Sequence, residues 1–160
     1  ALRNALTLLM TEQGLPCLYY GTELDFSGGN DPANREVVWT KGFDTTGETF
    51  RHFAKLARVR AATPALRLGA TRVLFSTPHT GDEVDAGLFA FERVGADAGD
   101  SHAVVVLNTN GRHASRATLT TTLPAGTVLE DQLGATELTV GAGGVLEVEL
   151  PAQSALVLVR

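Results

Sequence analysis

A carboxylate and a guanidinium stand four residues apart in a glycine-rich stretch, at Asp31 and Arg35. One helical turn would place them on the same face, where a local ion pair is one interpretation. A second is that both side chains point into a cleft, because a carboxylate accepts two hydroxyl groups while a guanidinium donates to several acceptors. The residue types and their spacing leave both interpretations open.

The pair follows an abrupt change from apolar to polar sequence. Residues 15–20 form a short apolar run after Gly14, and this pattern predicts a strand that is buried on both faces. Tyr20 ends the run, and Glu23 and Asp25 then lead into a glycine-rich loop at residues 27–32. Because ligands bind where the buried strands of α/β folds end in polar loops, we expect the functional site here.

No other group of residues has the spacing of a metal or catalytic site. The four histidines are scattered, the first predicted on a helix surface and the rest in or beside turns: His52, His79, His102 and His113. The acidic residues at 82, 83 and 85 lack the spacing of a calcium loop and predict a solvated hairpin. Cys17 lies inside the apolar run, which predicts a buried, unreactive thiol. We therefore predict no metal site and no cofactor in this chain.

The overall composition restricts the classes of partner. With 44% hydrophobic and 19% charged residues, the chain has the composition of a soluble globular protein. The formal net charge of −5 and the pI near 5.3 argue against nucleic acids and anionic membranes, since both favour a basic surface. No apolar run is long enough to span a bilayer. A neutral partner such as a sugar or a peptide fits these properties better.

Helices are predicted on both sides of the apolar run. Residues 1–13 carry apolar side chains at helical spacing, and Gly14 closes this helix. A second helix is predicted from Thr45, which has capping-box spacing to Glu48, through residue 59. It should end or restart before Pro64, because the residue that precedes a proline is disfavoured in a helix.

From about residue 70 the pattern changes to short apolar runs separated by Gly, Asp, Asn and Pro. This spacing is typical of a sandwich or barrel of antiparallel strands. Eight strands are predicted near residues 71–75, 88–94, 103–108, 115–121, 127–130, 136–140, 145–150 and 155–159. The boundary between two units is expected at residues 65–69, which gives residues 1–69 and 70–160.

The first unit is not expected to be stable alone. Several large apolar side chains of residues 15–20 would face water, at about 1.5 to 3 kcal/mol each. We therefore expect this unit to be completed by further chain, to dock on the sandwich, or to self-associate with a second copy. The sequence begins at Ala1 within a helical pattern, which predicts that the chain is a piece of a longer protein.

Two segments resemble the alpha-amylase family of glycoside hydrolases. The runs GLPCLYYGTE at residues 14–23 and GGNDPANRE at residues 28–36, followed by Trp39, resemble the last barrel strand of that family and the loop after it. Residues 1–13 and 49–60 are similar to its seventh and eighth barrel helices, and the strands from residue 70 onward to its all-β domain C. The resemblance implies an α/β part followed by an all-β part, namely the C-terminal end of a (β/α)8 barrel and an antiparallel β-sandwich.

The resemblance also implies roles for individual residues. In that family the residues that match Asp31 and Arg35 bind glucose units on the non-reducing side of the scissile bond. Tyr20 and Glu23 match positions near the mouth of the barrel and are expected to support the cleft. The nucleophilic Asp, the general-acid Glu and a third essential Asp of the family all come from strands upstream of Ala1. Retaining hydrolysis needs both a nucleophile and an acid, so no catalytic residue is assigned and the chain alone is expected to be inactive.

Three alternatives remain for the function. The implied parent hydrolyses α-glucosidic bonds of starch or maltooligosaccharides, but an α-glucan transglycosidase or an oligo-glucosidase shares the same motifs. The third alternative is a non-catalytic β-sandwich that binds starch or only supports a barrel. The aromatic residues after Gly69 are Phe75, Phe89 and Phe91, with neither Trp nor Tyr, which argues against a sugar-binding sandwich.

Overall fold

A computed structural model describes residues 1–95 and 100–160. Within these residues, three α-helices come first and eight strands follow. The helices are α1 (Leu2–Thr11), α2 (Glu48–Ala62) and α3 (Pro64–Leu68). The strands are β1 (Ala70–Ser76), β2 (Leu88–Val94), β3 (Ala103–Asn108), β4 (Ser115–Thr120), β5 (Val128–Asp131), β6 (Glu137–Thr139), β7 (Val145–Leu150) and β8 (Ala155–Val159).

The strands form an antiparallel β-sandwich, as predicted. Six of them make one sheet in the order β1-β2-β3-β8-β5-β6, while β4 and β7 pair to form the second. In β7 the alternation expected of a half-buried strand is observed, since Leu146, Val148 and Leu150 are buried while Glu147 and Glu149 face solvent. The predicted strand positions are confirmed, with bounds that differ by a residue or two.

The central strands of the large sheet are buried on both faces, which produces two apolar cores. One face of β2 and β3 packs against the small sheet, with Leu88 and Val104 in that core. The opposite face, with Phe91 and Val105, packs against the helices. The helices therefore dock on the sandwich, which was one of the three expected ways to cover them.

Each face of β2 ends in a buried charged residue, and the one that faces the small sheet is Glu92. Its carboxylate accepts hydrogen bonds from Arg72 Nε at 2.5 Å and from His102 Nε2 at 2.9 Å. The backbone N–H of Thr122 adds a third bond at 3.1 Å. Because Arg72 also donates to the carbonyl oxygen of Thr120, this network joins the two sheets.

On the other face of β2, Arg93 holds the helices in place. Its guanidinium is buried and donates to the carbonyl oxygens of Thr11 and Gly69. Arg60 of α2 donates to three more carbonyl oxygens at and beyond the end of α1, those of Met10, Glu12 and Gly14, at 2.9, 3.0 and 2.6 Å. The last carbonyls of a helix have no partner within it, so the two arginines cap α1 and fix its exit direction.

Two predictions in the N-terminal part are wrong. Residues 15–20 form no strand: the segment is extended, Leu15 is 98% exposed and Cys17 is exposed rather than buried. The physical reason is that, within the described residues, no strand lies beside this segment to complete a backbone ladder or to cover its side chains.

The second error concerns the start of α2. This helix begins at Glu48 with Gly47 as its N-cap, and no side chain caps it. The predicted capping box at Thr45 does not form, because Asp44 Oδ1 instead accepts from Thr46 N and Thr46 Oγ1, both at 2.7 Å. That local turn uses the segment before the helix in another way. The break before Pro64 is confirmed, with α2 ending at Ala62.

Candidate functional site

The glycine-rich loop and the extended segment before it enclose a pocket of about 310 Å³. Its walls are aromatic, hydroxyl, glycine and amide groups from Tyr19, Tyr20, Thr22, Phe26, Gly28, Gly29 and Asn34. Gly21 allows the chain to fold over this space, because its φ of 87° is left-handed and a Cβ there would overlap the ring of Phe26. The chemistry of the walls suits a neutral, polar ligand.

Asp31 and Arg35 form the ion pair that their spacing predicted. Arg35 Nε lies 3.0 Å from Asp31 Oδ1 in a turn closed by the backbone bond from Arg35 N to Pro32 O. Their side chains are 67% and 66% exposed, so each keeps hydrogen-bonding capacity that its partner does not use. The two interpretations are thus compatible, since the ion pair leaves both groups accessible to a ligand.

Glu23 and Asn34 each carry a buried oxygen without a hydrogen-bond partner among the described residues. These atoms are Glu23 Oε2 and Asn34 Oδ1, and Asn34 also lines the pocket. Unpaired buried acceptors destabilise a fold by roughly 1–3 kcal/mol each, so their presence marks a place where a donor is expected. Sequence reasoning assigned a role to Glu23 but none to Asn34, although Asn34 lies in the quoted GGNDPANRE run.

Tyr20 lies at the pocket with Tyr19, their ring centroids 4.8 Å apart and tilted by 42°. Partial desolvation together with the neighbouring Tyr19 hydroxyl raises the pKa of Tyr20 above its ordinary value. The Tyr20 hydroxyl therefore stays protonated at neutral pH, where it can both donate and accept a hydrogen bond.

Two carboxylates, those of Asp25 and Glu36, hold the loop in place. Thr49 Oγ1 at the start of α2 donates to Asp25 Oδ1 at 2.6 Å, which fixes the loop to the helix. Glu36 Oε1 accepts from the backbone N–H of Gly28 at 2.7 Å and closes the glycine-rich turn. Sequence reasoning assigned no role to Glu36, because the partner is a main-chain group that no side-chain pattern reveals.

The histidines lie away from this pocket. His52 is half-buried against α1, with Nε2 3.1 Å from Thr7 Oγ1, so the prediction of a plain helix-surface position is only partly right. His79 and His113 pair with Asp85 and Asp82, in each case at 2.7 Å. Asp85 raises the pKa of His79 by a hydrogen bond. Within residues 1–95 and 100–160, no three His, Cys, Asp or Glu side chains are placed to hold a metal ion.

Residues 79–160, which hold seven of the eight strands, match the family described as the alpha amylase, C-terminal all-beta domain. This match alone covers just over half of the chain, and it agrees with the antiparallel sandwich that the structure shows. The chain therefore belongs to that family. In the part that the structure describes, no helix has the length and apolar character needed to cross a membrane.

Alignments with individual relatives extend the likeness to residues before position 79. A cyclomaltodextrin glucanotransferase from Bacillus sp. (strain 17-1) is 37% identical over 147 residues, and an alpha-amylase from Niallia circulans is 34% identical over 149 residues. These alignments cover 89% and 91% of this chain but only 19% and 26% of the relatives. The crystal structure of an Anoxybacillus alpha-amylase superposes with a TM-score of 0.81 at 28% identity, over 99% of this chain and 31% of that one. The chain thus spans less than a third of the length of each of these three proteins.

Proposed function

We propose that the chain is the C-terminal part of an alpha-amylase-type glycoside hydrolase that acts on α-glucosidic bonds of starch or maltooligosaccharides. Residues 1–69 are the end of its (β/α)8 barrel, and residues 70–160 are the β-sandwich that follows. The observation that carries the proposal is the structural likeness to the Anoxybacillus alpha-amylase over 99% of this chain, because it includes the helices and the loop before residue 79.

The extended segment at residues 15–20 supports the same proposal. Leu15 is almost fully exposed, and within the described residues no strand pairs with the backbone of this segment. Barrel strands on both sides would supply these missing neighbours in a longer chain. A segment that lacks strand neighbours in this chain and gains them in a longer protein would explain why its sequence has the pattern of a buried strand.

The loop after that segment forms one wall of the proposed glucan cleft. Asp31 and Arg35 bind glucose hydroxyl groups, because both are accessible and oriented by their mutual ion pair. Tyr20 and Glu23 support the wall, Tyr20 at the pocket surface and Glu23 through a side chain with one buried oxygen. By the family resemblance, the nucleophile and the acid come from preceding strands.

Two measurements test this proposal. The purified 160-residue chain is expected to release no reducing sugar from soluble starch, while a longer protein that contains it does. Cleavage by the chain alone would overturn the assignment of the catalytic carboxylates to preceding strands. Failure of the longer protein to cleave or transfer α-glucans would overturn the proposed function itself.

A transglycosidase is the second candidate, because a relative 37% identical over most of this chain is a cyclomaltodextrin glucanotransferase. Products formed from maltotetraose by the longer protein separate the two activities. Hydrolysis yields only shorter sugars, while transfer also yields longer or cyclic ones. Cleavage of isomaltose would instead indicate an oligo-glucosidase. The non-catalytic sugar-binding sandwich is disfavoured, since Phe91 is buried and Phe75 and Phe89 are half-buried against the cores.

A further inference from the structure

Asp25, which directly precedes a wall of the candidate pocket, has an unusual backbone conformation. Its φ of 56° and ψ of 39° are left-handed, in a region that residues other than glycine rarely adopt. Such a conformation persists only where surrounding contacts hold it, and residues of this kind are concentrated at functional sites. Asp25 ends the 3₁₀ turn Thr22–Leu24, and the next residue is Phe26, a pocket wall. The conformation of Asp25 therefore determines where the chain places Phe26.

The turn through Asp25 brings the ring of Phe26 onto Gly21. Phe26 N donates to Gly21 O at 3.0 Å, and a Cβ at position 21 would overlap that ring. Gly21 directly follows Tyr20, which is another pocket wall. The turn thus connects two walls of the pocket.

A side chain of α2 holds this turn from outside the loop. Thr49 Oγ1 donates to Asp25 Oδ1 at 2.6 Å, and Thr49 is only 7% exposed. Helix α2 is itself anchored by Leu56, which is buried in the core that the helices share with the large sheet. The position of Asp25 is therefore tied to the core of the molecule through one hydrogen bond.

The same helix holds the other end of the segment that carries the pocket tyrosines. Arg60, in the last turn of α2, donates to Gly14 O at 2.6 Å. The segment from Gly14 to Asp25 is thus attached to α2 at both ends, with Tyr19 and Tyr20 between them. Helix α2 thereby helps to determine where the pocket lies, although none of the residues that line the pocket belongs to it.

We propose that Thr49 and Asp25 are positioning residues of the proposed glucan cleft, because their hydrogen bond holds Phe26 in place and so sets the shape of the pocket. The proposal rests on the proposed function and adds to it two residues that are not pocket walls. A group that does not touch a substrate affects its binding when it fixes the geometry of groups that do. Loss of the bond removes interactions that the bound substrate and the transition state share, so KM rises while kcat is retained.

Variants at the two positions separate the hydrogen bond from the backbone conformation. Thr49→Val removes the hydroxyl at nearly constant shape. In a longer, active protein it should raise KM for maltoheptaose by roughly threefold to tenfold, which is the range of one hydrogen bond. Thr49→Ser keeps a hydroxyl and should return KM close to the native value. Asp25→Gly should raise KM less than Asp25→Ala, because glycine adopts a left-handed φ without strain.

Hydrogen exchange of the 160-residue chain gives a readout that does not need activity. The amides of residues 24–26 donate within the turn, and in Thr49→Val they should exchange faster while those of β3 keep their protection. Thr46→Val is the matched control, because Thr46 Oγ1 donates to Asp44 Oδ1 at 2.7 Å and neither residue lines the pocket. This control should leave both the exchange rates of residues 24–26 and KM unchanged.

Native exchange in residues 24–26 or a native KM in Thr49→Val would overturn the positioning role. An equal rise of KM in Thr49→Val and Thr49→Ser would also overturn it, because it would assign the effect to packing. If a longer protein neither cleaves nor transfers α-glucans, the proposed function itself fails. Faster exchange in Thr49→Val would then still show that Thr49 holds the turn, so the two failures are distinguishable.

Discussion

At the scale of single residues, Asp31 and Arg35 combine accessibility with mutual orientation. Their ion pair is two-thirds exposed on both sides, and such a pair contributes only about 0–1 kcal/mol to stability. The turn around them is closed by backbone bonds, including one of 2.7 Å from Ala33 N to Asn30 O, that do not require either side chain. Their effects on folding and on ligand binding can therefore be measured separately.

We expect Asp31→Ala and Arg35→Ala each to change the free energy of unfolding of this chain by at most about 1 kcal/mol. In a longer, active protein each should lower kcat/KM by roughly tenfold or more, since a hydrogen bond to a charged group contributes about 1.5–3 kcal/mol. Urea denaturation and initial rates on maltoheptaose provide the two values. Asp82→Ala is the control, because Asp82 forms an exposed pair with His113. Parallel losses of stability and activity would favour a purely structural ion pair.

Glu92 gives the structure a defined dependence on pH. Burial alone would raise the pKa of Glu92, but hydrogen bonds from His102, Thr122 and Arg72 outweigh it and lower the pKa to about 2. An unfolded glutamate has a pKa of about 4.3. A carboxyl group whose pKa is lower in the folded state contributes stability that is fully present above the unfolded value and is lost as the pH falls toward 2.

The native chain should therefore lose on the order of 3 kcal/mol of unfolding free energy from Glu92 as the pH is lowered from ~5 to ~2. Glu92→Gln should be less stable at neutral pH, because it breaks a buried charge network, yet it should lose less on acidification. Denaturation at several pH values, with Glu149→Gln on the exposed face of β7 as control, measures both slopes. Equal slopes for the native chain and Glu92→Gln would contradict this account.

At the scale of elements, the arginines of α2 and β2 determine how the helices meet the sheet. Arg60 donates hydrogen bonds to three carbonyl oxygens around the exit of α1, and the last of them, Gly14 O, lies at the start of the segment that leads to the candidate site. The path from helix to pocket is thus set by a side chain from another element. No pattern within residues 1–20 contains that information.

Replacing Arg60 by Met should leave these carbonyls without a donor and destabilise the docking of α1 by roughly 2–3 kcal/mol. Hydrogen exchange measured by mass spectrometry is expected to accelerate in α1 and in residues 15–20, while β3 and β8 keep their protection. Arg58→Met, an exposed arginine on the same helix, should have no such effect. Uniform acceleration over the whole chain would instead indicate that α1 and the sandwich unfold together.

The strands that the sequence predicts correctly are those whose neighbours are present in this chain. Alternation of buried and exposed side chains identified β7, and continuous apolar runs identified β3, because both patterns follow from neighbours that are present in this chain. The run at residues 15–20 is also apolar but has no strand beside it among the described residues. A strand depends on backbone partners as well as on its own sequence, and the sequence of one segment does not show whether those partners are present.

The candidate site was predictable only in part for a related reason. The spacing of Asp31 and Arg35 predicted their ion pair, and the resemblance selected the loop. The bonds that hold the loop were not predictable, because Glu36 binds a main-chain N–H and Asp25 binds Thr49 on a distant helix. The burial of the charged residues of β2 was likewise not predictable, because the partners of Glu92 and Arg93 lie on other elements that the sequence of the strand does not reveal.

At the scale of the whole molecule, α1 has one covered and one uncovered side. Leu6 and Met10 are buried in the core that α1 shares with the sheet. On the other side, Ala5, Leu8 and Leu9 border a mainly apolar hollow of about 370 Å³ together with Leu15 and Pro16. We propose that this surface causes the isolated chain to self-associate, because exposed contiguous apolar area favours association. We propose that preceding chain would cover it in a longer protein.

The isolated chain is therefore expected to show concentration-dependent association in analytical ultracentrifugation, and Leu15→Glu should shift it toward monomer. The change replaces the most exposed large apolar side chain with a charge, which adds repulsion between copies at the same surface. Val84→Glu is the matched control, because it places the same charge at an exposed apolar residue of the sandwich. All samples need a reducing agent, because Cys17 is exposed and its disulfide would imitate association. A native chain that stays monomeric at every concentration would show that this hollow is tolerated without a partner.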